Sequence, residues 1–404
     1  VDPNAIEHLR FEDAPSRARR RVATGSTVIS SVRPNLQAAA FFPDALTHFV
    51  CSTGFNVVEP QPSRLSSKFA YYHLISENAR QYFEAAATGV GYPAVGDKEF
   101  NAITVPLPPL PEQERIEAYL DASCAAIDAA VAAKRHQLET LDALASSIIN
   151  KAVTRGCDEL ISFSPTGIDW FPEVPCKWRV VRFKSLFRLI YRYPTYFNIE
   201  YVPEGVPEVR GEALTPDGYI ETLPDERYIS PVTSAQFPKT QLELGDIVMS
   251  VRGTMGKIGL VNEKYVGANI TANLLRLAPE KHRVTGEFLR WLMRSRYFNE
   301  ALNSSAPQTT IKTITMPQLA KLRVALPPKP EQHKICNFLE EKVADVKRIA
   351  SGIEAQIATL SAHRKSLIHE CVTGQRRVTE AELNAIQSRT FALPETHAGE
   401  TIHA

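Results

Sequence analysis

Two stretches of the chain carry apolar residues at three- and four-residue spacing over an unusual length. In the first, Ile116, Leu120, Ile127, Val131, Leu138, Leu141, Leu144 and Ile148 follow one another; in the second, Ile335, Leu339, Val346, Ile353, Ile357, Leu360 and Leu367 do. This is the period of an α-helix with one apolar face. Pro111 suits an opening turn, where its missing N–H costs nothing, and Glu112 and Glu114 complement the positive end of the helix dipole. Thr154-Arg155-Gly156 and Thr373-Gly374 read as stops, with glycine at the cap. Each pattern predicts a helix of about 40 residues, on the order of 60 Å long at 1.5 Å per residue. A narrow stripe on so long a helix needs a partner, and the other helix is the nearest candidate. The pairing would be antiparallel, because the large segment between the helices can return the chain. Ile116, Leu120, Ile127, Leu141, Ile335, Leu339, Val346 and Leu360 are the expected packing positions, with Ala122, Ala126, Ala129 and Ala130 allowing close approach. The alternative is that each helix packs only on its own domain.

The remainder has the shorter rhythm of strands. Leu242 to Val251 reads as strand, turn and strand, Glu287 to Arg294 as a helix, and Leu322 to Leu326 as a short strand stopped by Pro327. Pro and Gly punctuate Pro194 to Pro238, which reads as surface loops. The fold class is therefore mixed α+β.

The two patterns are copies of each other. Pro108-Pro109-Leu110-Pro111-Glu112-Gln113 returns 219 residues later as Pro327-Pro328-Lys329-Pro330-Glu331-Gln332. The same offset carries Ile116 onto Ile335, Ile127 onto Val346, Leu141 onto Leu360 and, backward, Val105 onto Val324 and Phe69 onto Phe288. With a one-residue slip, the stretch from Gly25 to Ser30 matches Gly245 to Ser250, and at the original offset Val32-Arg33 matches Val251-Arg252. The period is too long for a solenoid, so it denotes a duplicated domain with its connector. Residues Ile168 to Tyr219 have no counterpart in the first copy, which therefore reads as N-terminally truncated relative to the second. The division is a first globular domain over 1–107, a helix over 108–156, a second domain over 168–326, a helix over 327–374, and a polar, weakly patterned tail over 375–404 that reads as disordered.

Composition narrows the function. With 46 Lys and Arg against 45 Asp and Glu, the net charge is +1. That excludes a protein binding nucleic acid by overall positive charge and leaves local basic faces open. No apolar run is long enough for a transmembrane helix, and no signal peptide opens the chain, which starts at Val1; a cytoplasmic location is expected. The six cysteines form no Cys-x-x-Cys pair and read as reduced thiols, with no metal site.

Three segments could carry chemistry. Gly253-Thr254-Met255-Gly256-Lys257, with Arg252 beside it, is neither a Walker loop nor a dinucleotide fingerprint. Its glycines could bring backbone close to a phosphate, or could simply serve a tight β-turn. Gln308-Thr309-Thr310-Ile311-Lys312 has the residue types that contact base edges and phosphates, or is a solvated Thr-rich loop. Arg17 to Arg21, with Arg10 and Arg33 nearby, is a phosphate-contacting edge or a solvated basic face. The candidate DNA-contacting set is Arg33, Arg210, Arg252, Thr254, Lys257, Gln308, Thr309 and Lys312. No catalytic constellation is recognisable: there is no nucleophile elbow, no Asp-Pro-Pro-Tyr tetrad and no cofactor loop after a strand.

The doubled P-L-P-P-L-P-E-Q-E-R-I type segment (Pro106 to Ile116, Ala325 to Ile335) leading into a long helix resembles the conserved regions of specificity subunits of type I restriction–modification systems. Gly245 to Gly253, Ser304 to Leu319 and Trp178 to Phe187 resemble recurrent segments of their target-recognition domains. The resemblance implies two target-recognition domains, each reading one half of a split, asymmetric site on double-stranded DNA, held apart by an antiparallel coiled coil. It implies no active site on this chain and no bound cofactor. Two methyltransferase subunits would bring S-adenosylmethionine, and restriction subunits ATP and magnesium. Two readings from other classes remain on the residues alone: a methyltransferase or nuclease whose motifs are not recognisable, and a coiled-coil scaffold with no role on DNA.

Overall fold

The computed structural model describes residues 7–43, 49–158, 162–168, 171–192, 199–251, 256–304 and 316–390. The chain divides into two compact units, and the division cuts across both long helices. Unit 1 comprises residues 1–137 and 352–404, and unit 2 comprises 138–351.

Unit 1 runs β1 (Ala18–Arg21), β2 (Ser26–Ser30), β3 (Ala39–Phe42), β4 (Val50–Ser52), β5 (Phe55–Val58), α1 (Ser67–Leu74), α2 (Glu77–Ala86), α3 (Asp97–Asn101) and the first part of α4 (Leu110–Arg155). Strands β3, β2 and β5 form an antiparallel sheet in that order, with Val28 opposite Ala40 on one side and Val57 on the other. Alternation along β2 sends Ile29 to a cluster with Leu74, Phe83 and Phe100 and sends Val28 to one with Val22 and Phe42. The Phe83 and Phe100 rings stack 5.1 Å apart. The β1–β4 antiparallel pair is separate from this sheet.

Unit 2 continues with β6 (Phe163–Pro165), β7 (Glu173–Pro175), β8 (Arg179–Arg182), β9 (Phe187–Arg192), β10 (Tyr201–Val202), β11 (Val206–Val209), β12 (Arg227–Ile229), α5 (Pro231–Gln236), β13 (Ile247–Ser250), β14 (Ile258–Leu260), β15 (Asn269–Ile270) and β16 (Leu274–Pro279). It then has α6 (Gly286–Arg294), α7 (Arg296–Ser304), α8 (Met316–Lys321), β17 (Arg323–Leu326) and the first part of α9 (Lys329–Val372). Its main sheet is β14-β13-β16-β9, its others β10-β12-β11-β15, β17-β8 and β6-β7. Helix α6 begins at Thr285, whose hydroxyl accepts from the Phe288 N–H, and it buries Phe288, Leu289, Trp291, Leu292 and Met293. The stretch before β13 is not a strand: Leu242 and Glu243 enter a turn at Gly245, whose φ is +85°.

The duplication survives in three dimensions. Sheet order β3-β2-β5 corresponds to β14-β13-β16, and α1, α2 and α3 correspond to α6, α7 and α8 at the same sequence offset. Among the described residues, strands of the β8 and β9 type flank that frame in unit 2 alone.

Helix α4 has 46 residues and α9 has 44, ending at Gly156 (φ +81°) and just before Gly374 (φ +77°). In unit 1 their paired portions run antiparallel: Asp128 meets Arg364 at 3.1 Å and, further along α4, Lys134 donates to Gln356. Ile116, Leu120 and Ile127 are buried there, with Leu360 packed at the margin, in one cluster with Phe69 and Tyr72 of α1. In unit 2, Ile149 and Val153 share a cluster with Ile335, Leu339 and Val343. Each helix thus packs on the other helix and on a globular part at once. Val346 is buried and Leu141 half-buried, but Leu144, expected in the stripe, is 47% exposed, and Ala129 is exposed rather than interfacial.

In the described part of the tail, residues 375–390, the structure corrects the sequence-based expectation of disorder; 391–404 lie outside the described residues. Residues Glu380–Thr390 form α10, opened by a reciprocal capping box: the Thr379 N–H donates to the Glu382 carboxylate at 2.9 Å, and the Glu382 N–H to Thr379 Oγ1 at 3.3 Å. Val378 is buried, Leu383 and Ile386 pack beside it, and Arg115 Nε donates to the Val378 carbonyl at 2.9 Å. The polar composition hid three apolar positions that one face of a short helix brings together.

Candidate nucleic-acid interface

The repeated Pro-Glu-Gln motif builds the base on which each unit's loops are mounted. In unit 1 the buried Gln113 accepts from the Ser66 N–H at 2.8 Å and donates to the carbonyls of Arg64 (3.0 Å) and Pro108 (2.8 Å). In unit 2 Gln332 accepts from the Thr285 N–H at 2.9 Å and donates to Arg283 (2.9 Å) and Pro327 (3.0 Å). An amide is needed because the site presents one donor and two acceptors. The clamp fastens the start of each long helix to the turn that launches α1 or α6. The sequence marked the motif but not this role.

On that frame, two loops of unit 1 meet. The loop after β2 leaves the sheet at Val32-Arg33, and the loop before α3 runs from Thr88 to Val95. The Arg33 N–H donates to the Pro93 carbonyl at 2.7 Å, the Val95 N–H donates to the Ser31 carbonyl at 2.9 Å, and Val32 bridges to Ala94. The Arg33 guanidinium lies over the Tyr92 ring, 4.8 Å from its centre. Arg33 is exposed and Tyr92 is 73% exposed, so a cation and an aromatic face stand together in solvent. Arg33 (φ +52°, ψ +58°) and Gln37 (φ +45°) hold left-handed backbone on both sides of one turn of 3-10 helix, Pro34–Leu36. Such backbone at a non-glycine residue costs about 1–3 kcal/mol and persists where its surroundings fix it, most often at binding sites.

The offset carries these loops onto the two segments that stood out in the sequence of unit 2. Arg33 corresponds to Arg252, in the loop joining β13 to β14, and Thr88 to Tyr92 correspond to Pro307 to Ile311. The glycine-containing loop and the Gln/Thr/Lys segment are therefore counterparts of two loops that are hydrogen-bonded to each other in unit 1. Arg252, Thr254, Gln308, Thr309 and Lys312 themselves lie outside the described residues. Lys257 is half-buried, and its carbonyl accepts from the Ser250 N–H at 2.8 Å at the base of the loop. Tyr92 was missed in the sequence; its correspondence with Ile311 was the available signal.

Other expected contacts have different surroundings. Arg210 is largely buried: its Nη2 donates to the Asp225 carboxylate at 2.7 Å and to the Asp225 carbonyl at 3.0 Å. The carboxylate raises the guanidinium pKa above its usual value. This arginine fastens the 210–225 loop, where the sequence suggested a DNA contact. In β1 the side chains alternate. Arg19 and Arg21 face solvent, whereas Arg20 turns inward to Asn56 Oδ1 at 2.6 Å and Asp97 at 3.1 Å. Among the described residues, no group of three or more His, Cys, Asp and Glu side chains could hold a metal ion. No helix among them is long and apolar enough to cross a membrane.

The family model for the type I restriction modification DNA specificity domain matches residues 19–140 and 175–359, one match on each repeat. The chain belongs to this specificity-subunit family. Members are non-catalytic, and so is this chain. It is 25% identical over 335 residues to the MjaVIII specificity subunit of Methanocaldococcus jannaschii, covering 80% of this chain and 73% of that protein. It is 23% identical over 341 residues to the EcoBI specificity subunit of Escherichia coli, covering 82% and 69%. A chain from a structural study of complex assembly and conformational transition in a type I system shares the fold, with TM-score 0.70, 23% identity, and coverage of 89% of this chain and 85% of that one. The HsdS subunit of Thermoanaerobacter tengcongensis matches with TM-score 0.50 and 23% identity over 90% and 85%.

Proposed function

We propose that each repeat of this specificity subunit reads one part of a bipartite site on double-stranded DNA through the two loops that meet above its sheet. The observation that carries the reading is the exposed Arg33–Tyr92 pair on a hydrogen-bonded double loop, whose counterparts in the second repeat are the segments containing Arg252, Thr254, Lys257, Gln308, Thr309 and Lys312. Arginine beside an aromatic face suits a phosphate or a guanine edge, and glutamine and threonine suit base edges. A net charge of +1 fits a reader whose partner subunits share the phosphate contacts. Two methyltransferase subunits, which bind S-adenosylmethionine, and restriction subunits, which use ATP and magnesium, would supply the chemistry. Co-expression with a methyltransferase subunit, followed by mapping of modified adenines, tests this. A bipartite target whose halves change separately with substitutions in the two double loops is the expected result. Methylation by this chain alone, or a target unaffected by either double loop, refutes it.

A further inference from the structure

In unit 1 the segment from Thr88 to Ala94 is closed on itself. The Thr88 N–H donates to the Ala94 carbonyl at 2.9 Å, and the Ala94 N–H donates back to the Thr88 carbonyl at 2.9 Å. The residues between them, Gly89 to Pro93, form a short ribbon tip. Gly89 sits at φ +111°, and a Cβ there would stand 3.3 Å from the Tyr92 carbonyl oxygen, so the turn requires glycine. The tip holds two apolar side chains out in solvent: Val90 is fully exposed and Tyr92 largely so. On the facing loop, Leu36 is 65% exposed and Val32 is partly exposed. Large apolar side chains displayed together on a fixed tip mark a contact surface. Four of them fall short of the roughly 800 Å² that each side of a stable protein–protein interface buries. Their surroundings are cationic. Arg33 lies among them; the Ser31 N–H donates to the Gly54 carbonyl at 3.0 Å, and the Thr53 N–H to the Arg17 carbonyl at 2.8 Å. These bonds join the base of the tip to β1, from which Arg19 and Arg21 face solvent. An apolar tip flanked by arginines matches DNA. Phosphates lie outside, and the major groove, which admits a two-stranded ribbon, offers one exposed apolar group, the C5-methyl of thymine. The second repeat differs at the same positions. Val90 corresponds to Thr309, and Gly89 and Pro93 to Gln308 and Lys312, so hydrogen-bonding groups stand where the first tip has none.

We propose that the tip of unit 1 determines specificity by apolar contact with thymine methyl groups in the major groove of its half-site, with Val90 and Tyr92 as the contacting side chains. This assignment rests on the double loops facing DNA, and it names the kind of base pair the first one reads: A·T, recognised by its methyl group, against hydrogen-bonding base edges in the other half. The closed tip is already in its binding shape, so little ordering opposes the contact.

The test uses the full chain assembled with a methyltransferase subunit, and duplexes carrying its mapped target. Replacing thymine by deoxyuridine removes the 5-methyl group and leaves base pairing intact. In the half whose recognition shifts with Arg33→Ala, at least one such replacement should weaken binding about fourfold, the worth of one buried methyl group. The double variant Val90→Ser/Tyr92→Ser should bind the thymine duplex more weakly and lose that penalty. Deoxyuridine in the other half should affect the native chain and the double variant equally. No A·T pair in the first half-site, no deoxyuridine penalty there, or a penalty that the double variant keeps overturns the proposal and leaves DNA reading by the loops standing. A target insensitive both to Arg33→Ala and to the double variant overturns that reading and the proposal together. Loss of the methyltransferase subunit from the double variant's complex would make the tip a protein interface and overturns the proposal as well.

Discussion

Replacing Gln332 by Leu removes the amide that clamps α9 to the turn before α6. The Thr285 N–H loses its acceptor, and the carbonyls of Arg283 and Pro327 each lose a donor. A buried donor left unmet costs about 1–3 kcal/mol, and carbonyls with a second lone pair cost less, so the substitution should destabilise unit 2 by roughly 2–4 kcal/mol. Gln332→Glu separates geometry from volume. It keeps the acceptor but points a carboxylate at two carbonyl oxygens, so its cost should exceed that of Leu at pH 7 and shrink in acid as the group protonates. The assay is urea unfolding followed by tryptophan fluorescence. The two described tryptophans, Trp178 and Trp291, are both buried in unit 2, so their signal reports that unit. Gln113→Leu, the same change in unit 1, should leave the fluorescence transition in place and shift only the circular dichroism. A fluorescence midpoint unchanged by Gln332→Leu, or moved equally by Gln113→Leu, would refute the clamp's role in unit 2.

Single sites give further expected outcomes. Arg33→Ala and Tyr92→Ala should each weaken DNA binding by about 1–3 kcal/mol in affinity measurements with the assembled methyltransferase, without shifting the thermal transition, because both side chains stand in solvent. A thiol reagent under native conditions should label the exposed Cys176 first. Cys336, whose thiol burial pushes up to about 12, and Cys124 and Cys371, pushed up to about 11, should react only on unfolding; mass mapping of early products decides. Glu77 at the start of α2 is held near 2 by its hydrogen bond to the Arg80 guanidinium, against an ordinary value of 4.5. A depressed carboxylate stabilises above its unfolded pKa, so the gap in melting temperature between the native chain and Glu77→Gln should be full above about pH 5 and close between 4.5 and 2.

The long helices were legible because their apolar period and end signals act locally, and the duplication because the Pro-Glu-Gln segments match residue by residue. Gln113 and Gln332 could be seen to repeat, but their role could not be read: an amide bonded to chain about 50 residues away leaves no local pattern. Arg210 shows the same limit from the other side. An arginine in a loop rich in Pro and Gly looks free until folding places Asp225 beside it. The meeting of the Arg33 and Tyr92 loops depends on two backbone hydrogen bonds, Arg33 N–H to Pro93 and Val95 N–H to Ser31, between segments about 60 residues apart. Sequence could reach it only through the second repeat, where both corresponding segments had stood out on composition.

The sequence repeat and the folded unit are not the same object. Unit 1 takes its globular part and the start of α4 from the first repeat, but the end of α9 and α10 from the second; unit 2 takes the end of α4 from the first. The segment just beyond each long helix packs onto the unit in which that helix ends: Val174 and Trp178 in unit 2, Val378, Leu383 and Ile386 in unit 1. Cutting the chain after Ser351 therefore removes nothing from the second repeat's globular part, yet strips Leu367, Ile368, Cys371 and Val378 from the core of unit 1. Each such buried apolar side chain contributes about 1.5–3 kcal/mol, in sum comparable to a typical domain's net stability. The truncated chain should keep its native tryptophan emission and unfolding midpoint while residues 7–137 become open to limited proteolysis. Protection of those residues at the native level would show that unit 1 folds without the helix borrowed from the other repeat, and that the exchange of helix ends is not what completes its core.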